Sequence, residues 1–200
     1  MKGLLFNADQ ALAVWEGRQS VVRRPMKEQP EGDLVVTYPV GEHAPIWFDG
    51  PRIVKSPYSP GEVVYMQEPW CPVVDPFVGG AAAGVGYSDK TWLGIQEPVG
   101  KFKDGWTCFN WEKPDVWKFN SPVTMPQWAS RLHLKLTVRP EKLQDITKEE
   151  AALEGCTNGS PLYALSLYDF KELWDAIYKK FPWSSNPWIW RYGLEEVWRR

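Results

Sequence analysis

Three arginines lie close together in the segment EGRQSVVRRP at residues 16–25, in a chain whose net charge is only −2. Arg18, Arg23 and Arg24 fall within seven residues. An arginine side chain presents a planar fork of N–H groups that matches a phosphate or the edge of a nucleobase. The segment therefore predicts a local anion site. The alternative is a basic turn that contacts only solvent.

Composition limits what kind of protein this is. A length of 200 residues predicts one domain, and 44% hydrophobic residues suffice for a core. The isoelectric point near 5.8 excludes a protein that is basic overall, so nucleic-acid binding would need a local patch. Three distant cysteines predict reduced thiols and a cytoplasmic location, and with two histidines they predict no metal or cofactor. The absence of a long apolar stretch predicts no membrane contact.

Two helices are predicted to position charged side chains. The first covers residues 7–17, with Asn7 as its N-cap and Gly17 just beyond its end, so the arginines begin where a helix stops. The second lies in LQDITKEEAALEG at 143–155, with Thr147 as N-cap and Glu154 as last residue. A carboxylate there opposes the helix dipole, so Glu154 is either solvated at the surface or paired with a cation.

Strand patterns place further candidates. GEVVYMQEPW at 61–70 predicts a strand ending in Glu68 and Trp70, which would supply an acid and a stacking wall for a base, unless Trp70 only packs in a core. LHLKLTV at 132–138 alternates as a half-buried strand does, and Arg131 precedes it as a further binding candidate. Residues 71–121 are rich in Gly, Pro and Trp and predict a loop-rich insertion.

Three further patterns accompany LQDITKEEAALEG: MPQWASRLHLKLT at 125–137, an amphipathic helix at 168–181, and a closing strand in NPWIWRYGLEEV at 186–197. Together with GRQSVVRR and the Glu68–Trp70 strand, they resemble ASCH domains of the PUA-like superfamily, and especially those encoded by phages and prophages. The resemblance covers roughly 1–70 and 122–197. It implies an α+β fold with a small bent β-barrel, two or three flanking helices, and a cleft beside the GRxS turn.

The resemblance implies activities as well as a fold. Relatives bind RNA or modified bases, and some small ASCH proteins are amidohydrolases that remove the acyl group from N4-acetylcytidine. One has been described as a ribonuclease. In the amidohydrolases a lysine and a threonine stand where this chain has Gln19 and Val22, and only the catalytic glutamate matches, at Glu154. Gln is neither a nucleophile nor a base, and Val has no hydroxyl, so hydrolysis by that constellation is not expected.

Three functions remain open at this stage. The first is binding of nucleic acid or a modified nucleobase by Arg18, Gln19, Ser20, Arg23 and Arg24, with Glu68, Trp70 and Arg131 as further contacts. The second is an amidohydrolase or nuclease that uses Glu154. The third is a phage accessory protein, located in the bacterial host cell, that binds a host protein through residues 71–121.

Overall fold

The computed structural model describes residues 1–38, 44–74, 83–95, 109–110, 112–154 and 167–200. Within these ranges the chain is α+β, with many short strands and few helices. The helices are α1 (Ala8–Trp15), α2 (Lys148–Ala152) and α3 (Leu167–Ile177). The strands are β1 (Gly3–Leu5), β2 (Val21–Pro25), β3 (Val35–Thr37), β4 (Ile46–Asp49), β5 (Arg52–Val54), β6 (Val63–Gln67), β7 (Trp70–Val74), β8 (Ala83–Tyr87), β9 (Trp92–Ile95), β10 (Phe109–Asn110), β11 (Leu132–Lys142) and β12 (Trp188–Arg199).

The described strands pair into three sheets. The largest has the order β1-β6-β11-β12-β2, and two smaller sheets have the orders β10-β7-β8-β9 and β3-β4-β5. Strand β1 runs parallel to β6, and β12 runs antiparallel to β2 with Arg191 opposite Arg23. The mixture of strands and helices confirms the predicted α+β class. The pairings among the described strands close no barrel, so the PUA-like barrel stays a prediction.

The chain divides into two compact units. The first unit contains residues 1–15, 64–133 and 197–200, and the second contains residues 16–63 and 134–196. In the first unit one buried cluster is built by Trp70, Val85, Tyr87, Met125 and Ala129. In the second unit a buried cluster joins Leu143, Ile146, Ala151, Phe170, Trp174 and Ile189.

The predicted helix starts are confirmed by their caps. The Asn7 side chain accepts a hydrogen bond from the Gln10 backbone N–H at 2.8 Å, and Gln10 Oε1 accepts one from the Asn7 backbone N–H at 3.4 Å. Gly17 has φ +72°, the left-handed conformation expected just beyond a helix. At α2 the Thr147 hydroxyl accepts from the Glu150 N–H at 3.2 Å.

Two strand predictions have different outcomes. The alternation in LHLKLTV is confirmed, because Leu132, Leu134, Leu136 and Val138 are buried in β11. The prediction of one strand over 61–70 is wrong, since β6 ends at Gln67 and β7 begins at Trp70. Pro69 lies at the break, where its missing N–H would interrupt a strand ladder.

The proposed insertion at 71–121 is described only in part. Its described residues form short strands β7 to β10, as the expectation of loops and small strands allows, while 75–82, 96–108 and 111 lie outside the described residues. Cys71 is buried, and Cys108, Cys156 and His43 lie outside the described residues. Among the described residues, every helix is too short or too polar to span a membrane.

Candidate functional site

The segment that carries the arginines is held by backbone pairing to the chain just after α2. Both the Ser20 and the Val21 N–H groups donate to the Leu153 carbonyl, at 3.0 and 3.1 Å. Gln19 and Glu154 face each other in an antiparallel β-bridge. The two sequence-predicted site residues therefore lie side by side although they are separated by 135 positions.

Arg23 lies in β2 rather than in a turn, and its side chain is buried at 2% exposure. Each nitrogen of its guanidinium donates to a carboxylate: Nε to Glu141 at 2.6 Å, Nη1 to Glu154 at 2.9 Å, and Nη2 to Glu150. The side chain therefore belongs to an internal ion-pair network. A contact from Arg23 to phosphate or a base edge would require it to leave these partners, and that contact stays a prediction.

Two more arginines complete this network. Arg139 donates to Glu141 at 3.2 Å and to Glu150 at 3.3 Å. Arg191 donates from Nε to Glu150 at 3.0 Å. Because Arg191 lies directly opposite Arg23 across β12 and β2, their like charges would repel without a carboxylate between them. Glu150 supplies that carboxylate.

The carboxyl of Glu154 is buried and has an unusual acidity. Only 5% of the residue is exposed. Burial raises the pKa of Glu154 to about 7, against the opposing influence of Arg23 and Arg24. The network thus places one carboxyl that titrates near neutral pH next to the Gln19 amide. Of the two predictions for Glu154, solvation at the surface or pairing with a cation, the second is confirmed, and the cation is Arg23.

Gln19 contains the one polar side-chain atom among the described residues that is buried without a hydrogen-bond partner. Its Nε2 donates to the Val21 carbonyl at 2.8 Å and to Glu154 Oε2 at 3.5 Å. These two bonds fix the amide orientation, because the reverse orientation would set two acceptors against each other. Its Oε1 is left as a buried acceptor beside the Glu154 carboxyl.

The other residues of the predicted anion site are more accessible. Arg18 is exposed and pairs with Glu16, with 2.6 Å between Arg18 Nε and Glu16 Oε2. Ser20 is exposed as well. Arg24 is half-buried and donates from Nη1 to the Tyr178 hydroxyl at 3.0 Å. Arg18 and Ser20 therefore lie on the solvent side of the segment, and Arg23 lies on its inner side.

Glu68 and Arg131 form a separate ion pair within the first unit. Arg131 donates to Glu68 through Nε at 2.9 Å and Nη2 at 2.7 Å, and through Nη1 to Asp89 at 2.7 Å. Its guanidinium also lies over the Trp15 and Tyr87 rings, at 4.6 and 4.3 Å from their centroids. Both members of the pair are fully buried, so this arrangement is suited to holding the core together.

Trp70, predicted as a stacking surface, is fully buried. It belongs to the cluster of Val85, Tyr87, Met125 and Ala129, and Trp128 contacts it edge-on with ring centroids 6.2 Å apart. Its Nε1–H donates to Thr124 Oγ1 at 3.4 Å. Neither face of the Trp70 ring is therefore accessible to a base in the structure. This agrees with the alternative that Trp70 packs in a core.

Sequence reasoning did not identify Glu141, Glu150, Arg139 or Arg191 as parts of the network. One signal was present, since Arg139 and Glu141 are two apart on one strand and share a face. What the sequence lacks is the pairing that brings this face to β2. The prediction of Glu154 as the last residue of the second helix is wrong, because α2 ends at Ala152 and Glu154 lies in the β-bridge to Gln19. Among the described residues no group of His, Cys, Asp and Glu side chains has a metal-binding arrangement.

Comparisons of the chain with protein-family models, with curated proteins and with solved structures found no significant match. The resemblance to ASCH domains therefore stays a prediction from the sequence motifs. Function has to be inferred from the Gln19–Glu154 pair and its surroundings.

Proposed function

We propose that this chain is a PUA-like domain of the ASCH type that binds a nucleobase, in a nucleic acid or as a modified nucleoside, at the Gln19–Glu154 pair. The amide oxygen of Gln19 and the carboxylate of Glu154 are adjacent hydrogen-bond acceptors. The exocyclic amine of cytosine or adenine is the donor that such acceptors recognise on a base.

The observation that carries this proposal is the unpartnered Oε1 of Gln19. A buried acceptor without a donor costs about 1–3 kcal/mol of stability, which an N–H group of a ligand would offset on binding. Because solvent does not reach this atom, entry of a base requires the covering side chains to move apart. Return of these side chains over the bound base would exclude water and strengthen the hydrogen bonds of the base.

The neighbouring charges have separate roles in this proposal. Arg23 holds the carboxylates of Glu141 and Glu154 in place and acts as a positioning residue. Arg18 and Ser20 are exposed on the same segment and would contact a phosphate. Arg24, held against Tyr178, extends the positive charge of this edge.

A hydrolase is the second candidate, and the acidity of Glu154 favours it. A carboxyl whose pKa is about 7 can exchange a proton with a reacting amide near neutral pH. In such a reaction water would cleave the N4-acyl bond of a cytosine nucleoside to give cytosine nucleoside and carboxylate. Gln19 would then orient the amide rather than act as a nucleophile.

One experiment tests recognition of the exocyclic amine. Calorimetric titration of the full chain with cytidine, adenosine, uridine and inosine compares bases with and without an exocyclic amine. The proposal predicts saturable binding of at least one amine-bearing nucleoside and at least about tenfold weaker binding of the partner without the amine. Equal affinities within both pairs would overturn it.

The same samples test the hydrolase. Incubation with N4-acetylcytidine followed by mass spectrometry detects cytidine, and Glu154→Gln is the control variant. Release of cytidine by the wild-type chain, absent in the variant, would identify an amidohydrolase. Binding without release would assign recognition alone.

A further inference from the structure

The first unit contains a pocket of about 390 Å³ that the proposed function does not use. It is lined by Gln127, Trp128, Ser130, His133, Trp198 and Arg200, all residues of this unit. The size lies in the range of pockets that hold small molecules. The lining combines three aromatic rings with one arginine, and none of the six lining side chains is acidic.

One wall of the pocket is aromatic. The His133 ring lies against the Trp198 ring, with centroids 4.6 Å apart and planes inclined by 32°. Trp198 is 41% exposed, so part of its ring is accessible to a ligand. Burial lowers the pKa of His133, so its imidazole is neutral near pH 7 and adds a flat, uncharged surface to this wall.

The positive charge of the pocket is anchored. The Arg200 guanidinium donates from Nη1 to the Trp128 carbonyl at 3.1 Å. The Arg200 backbone N–H donates to the Arg131 carbonyl at 3.1 Å. These contacts hold a cation beside the aromatic wall, while the exposed Gln127 amide offers a donor and an acceptor at the pocket.

The Ser130 hydroxyl has a different role. It contacts the Met66 and Leu132 carbonyls at 2.9 and 3.0 Å, so it fixes the pocket floor rather than binding a ligand. Trp128 is held in turn by its edge contact with the buried Trp70. The lining is therefore tied to the core on this side, and the site is largely preformed.

We infer that this pocket binds a planar heteroaromatic ring that carries an anionic group, either a phosphate or a carboxylate. The ring stacks on Trp198 and His133, and the anion accepts hydrogen bonds from Arg200. This site is separate in its residues from the Gln19–Glu154 pair. It does not need an exocyclic amine on the ligand.

Two matched ligand pairs test this inference by calorimetric titration of the full chain. Uridine 5′-monophosphate is compared with uridine, and nicotinate with nicotinamide, because the members of each pair differ in the anionic group. None of the four ligands carries the exocyclic amine of cytosine or adenine. We expect at least one anion to bind saturably and about tenfold or more tighter than its neutral partner. A phosphate-only or carboxylate-only result identifies the anion, and either supports the inference.

Variants assign the binding to this pocket. Arg200→Gln should remove the preference for the anion, and Trp198→Ala should weaken the anion and its neutral partner alike. Arg199→Gln makes the same charge change at a residue that does not line the pocket, and it should keep wild-type affinity. No saturable binding of either anion at about 10 mM, or an unchanged preference in Arg200→Gln, overturns the inference.

Discussion

Arg23 and Arg131 are buried to the same degree, and each pairs with a glutamate whose pKa is raised by burial to about 7, but the two networks differ in their remaining acceptors. Arg131 is bound by two carboxylates and covered by two aromatic rings, and its partner Glu68 is fully buried. Arg23 is bound by three glutamates, of which Glu154 also contacts a glutamine amide with an unused oxygen. The first arrangement is complete within the protein. The second leaves Gln19 Oε1 buried without a hydrogen-bond donor.

The acidity of Glu154 gives a pH-dependent stability that can be measured. Its folded-state pKa of about 7 lies above its ordinary value of 4.5, so the folded state binds the proton more tightly. The stability that this proton contributes is fully present below pH 4.5 and is lost as the pH rises through 7. Between these limits the wild type should lose about 2–3 kcal/mol relative to Glu154→Gln, which cannot ionise.

Urea unfolding of both proteins at several pH values from 4.5 to 8 measures this difference. Glu149→Gln on the same helix is the matched control, because Glu149 is exposed and its hydrogen bonds lower its pKa instead. The control should follow the wild-type curve through neutral pH. Parallel curves for wild type and Glu154→Gln would contradict the raised pKa.

The completeness of the Arg131 network predicts a large cost for breaking it. Arg131→Met leaves the Glu68 and Asp89 carboxylates without their cation and should lower the free energy of unfolding by about 3–5 kcal/mol at neutral pH. Arg52→Met removes an exposed arginine, 2.7 Å from Asp49, and should cost under about 1 kcal/mol. Equal losses in chemical denaturation would show that burial does not strengthen the Arg131 pair.

At the scale of elements, short sequence patterns correctly predicted two helix starts and the buried face of one strand. The caps at Asn7 and Thr147 fix where α1 and α2 begin, and alternation along β11 fixes its buried face. The three-residue strand β1 was missed because a segment that short has no measurable period. The sequence placed the arginines at a turn after a helix, whereas Val21–Pro25 form strand β2, and the pairing of β2 with β12 decides that Arg23 faces inward.

Close packing in the sheet of β7 to β10 predicts how two glycine-to-alanine substitutions affect stability. A Cβ atom at Gly86 in β8 would lie 2.6 Å from the Trp117 ring, whereas one at Gly94 in β9 would meet Trp92 at an ordinary 3.5 Å. Gly86→Ala should therefore cost about 1–3 kcal/mol of stability, and Gly94→Ala should change it by under about 1 kcal/mol. Thermal unfolding of the two variants checks this, and a harmless Gly86→Ala would contradict the packing of Trp117.

At the scale of the whole molecule, the sequence predicted the residues of the candidate site better than their partners. Gln19, Arg23 and Glu154 were selected and do lie together. Their surroundings were not predictable, because Glu141, Glu150 and Arg191 reach Arg23 only through strand pairing and helix placement over long sequence distances. The cluster of charges in the sequence suggested three arginines accessible to an anion, but ion pairs with Glu141, Glu150 and Glu154 neutralise Arg23.

That neutralisation predicts a weak salt dependence of nucleic-acid binding. The chain has a net charge of −2, and of the three clustered arginines only Arg18 is exposed. The logarithm of the affinity for single-stranded RNA should fall with the logarithm of salt concentration with a slope of about −1 to −2. Arg18→Gln should reduce that slope by about one, and Arg52→Gln, with the same loss of charge at another exposed site, should not. Filter binding over a salt series measures both, and a slope steeper than about −4 would contradict the internal role of Arg23.

The most direct test of the account compares the affinities of cytidine and uridine for wild type, Gln19→Met and Gln144→Met by titration calorimetry. If the Gln19 oxygen and Glu154 accept the base amine, the wild type prefers cytidine by about tenfold or more. Gln19→Met then loses this preference, while Gln144→Met, an equal change at an exposed residue outside both candidate sites, retains it. A wild-type chain that binds uridine as tightly as cytidine, or a Gln19→Met variant that keeps the preference, would contradict the proposed site.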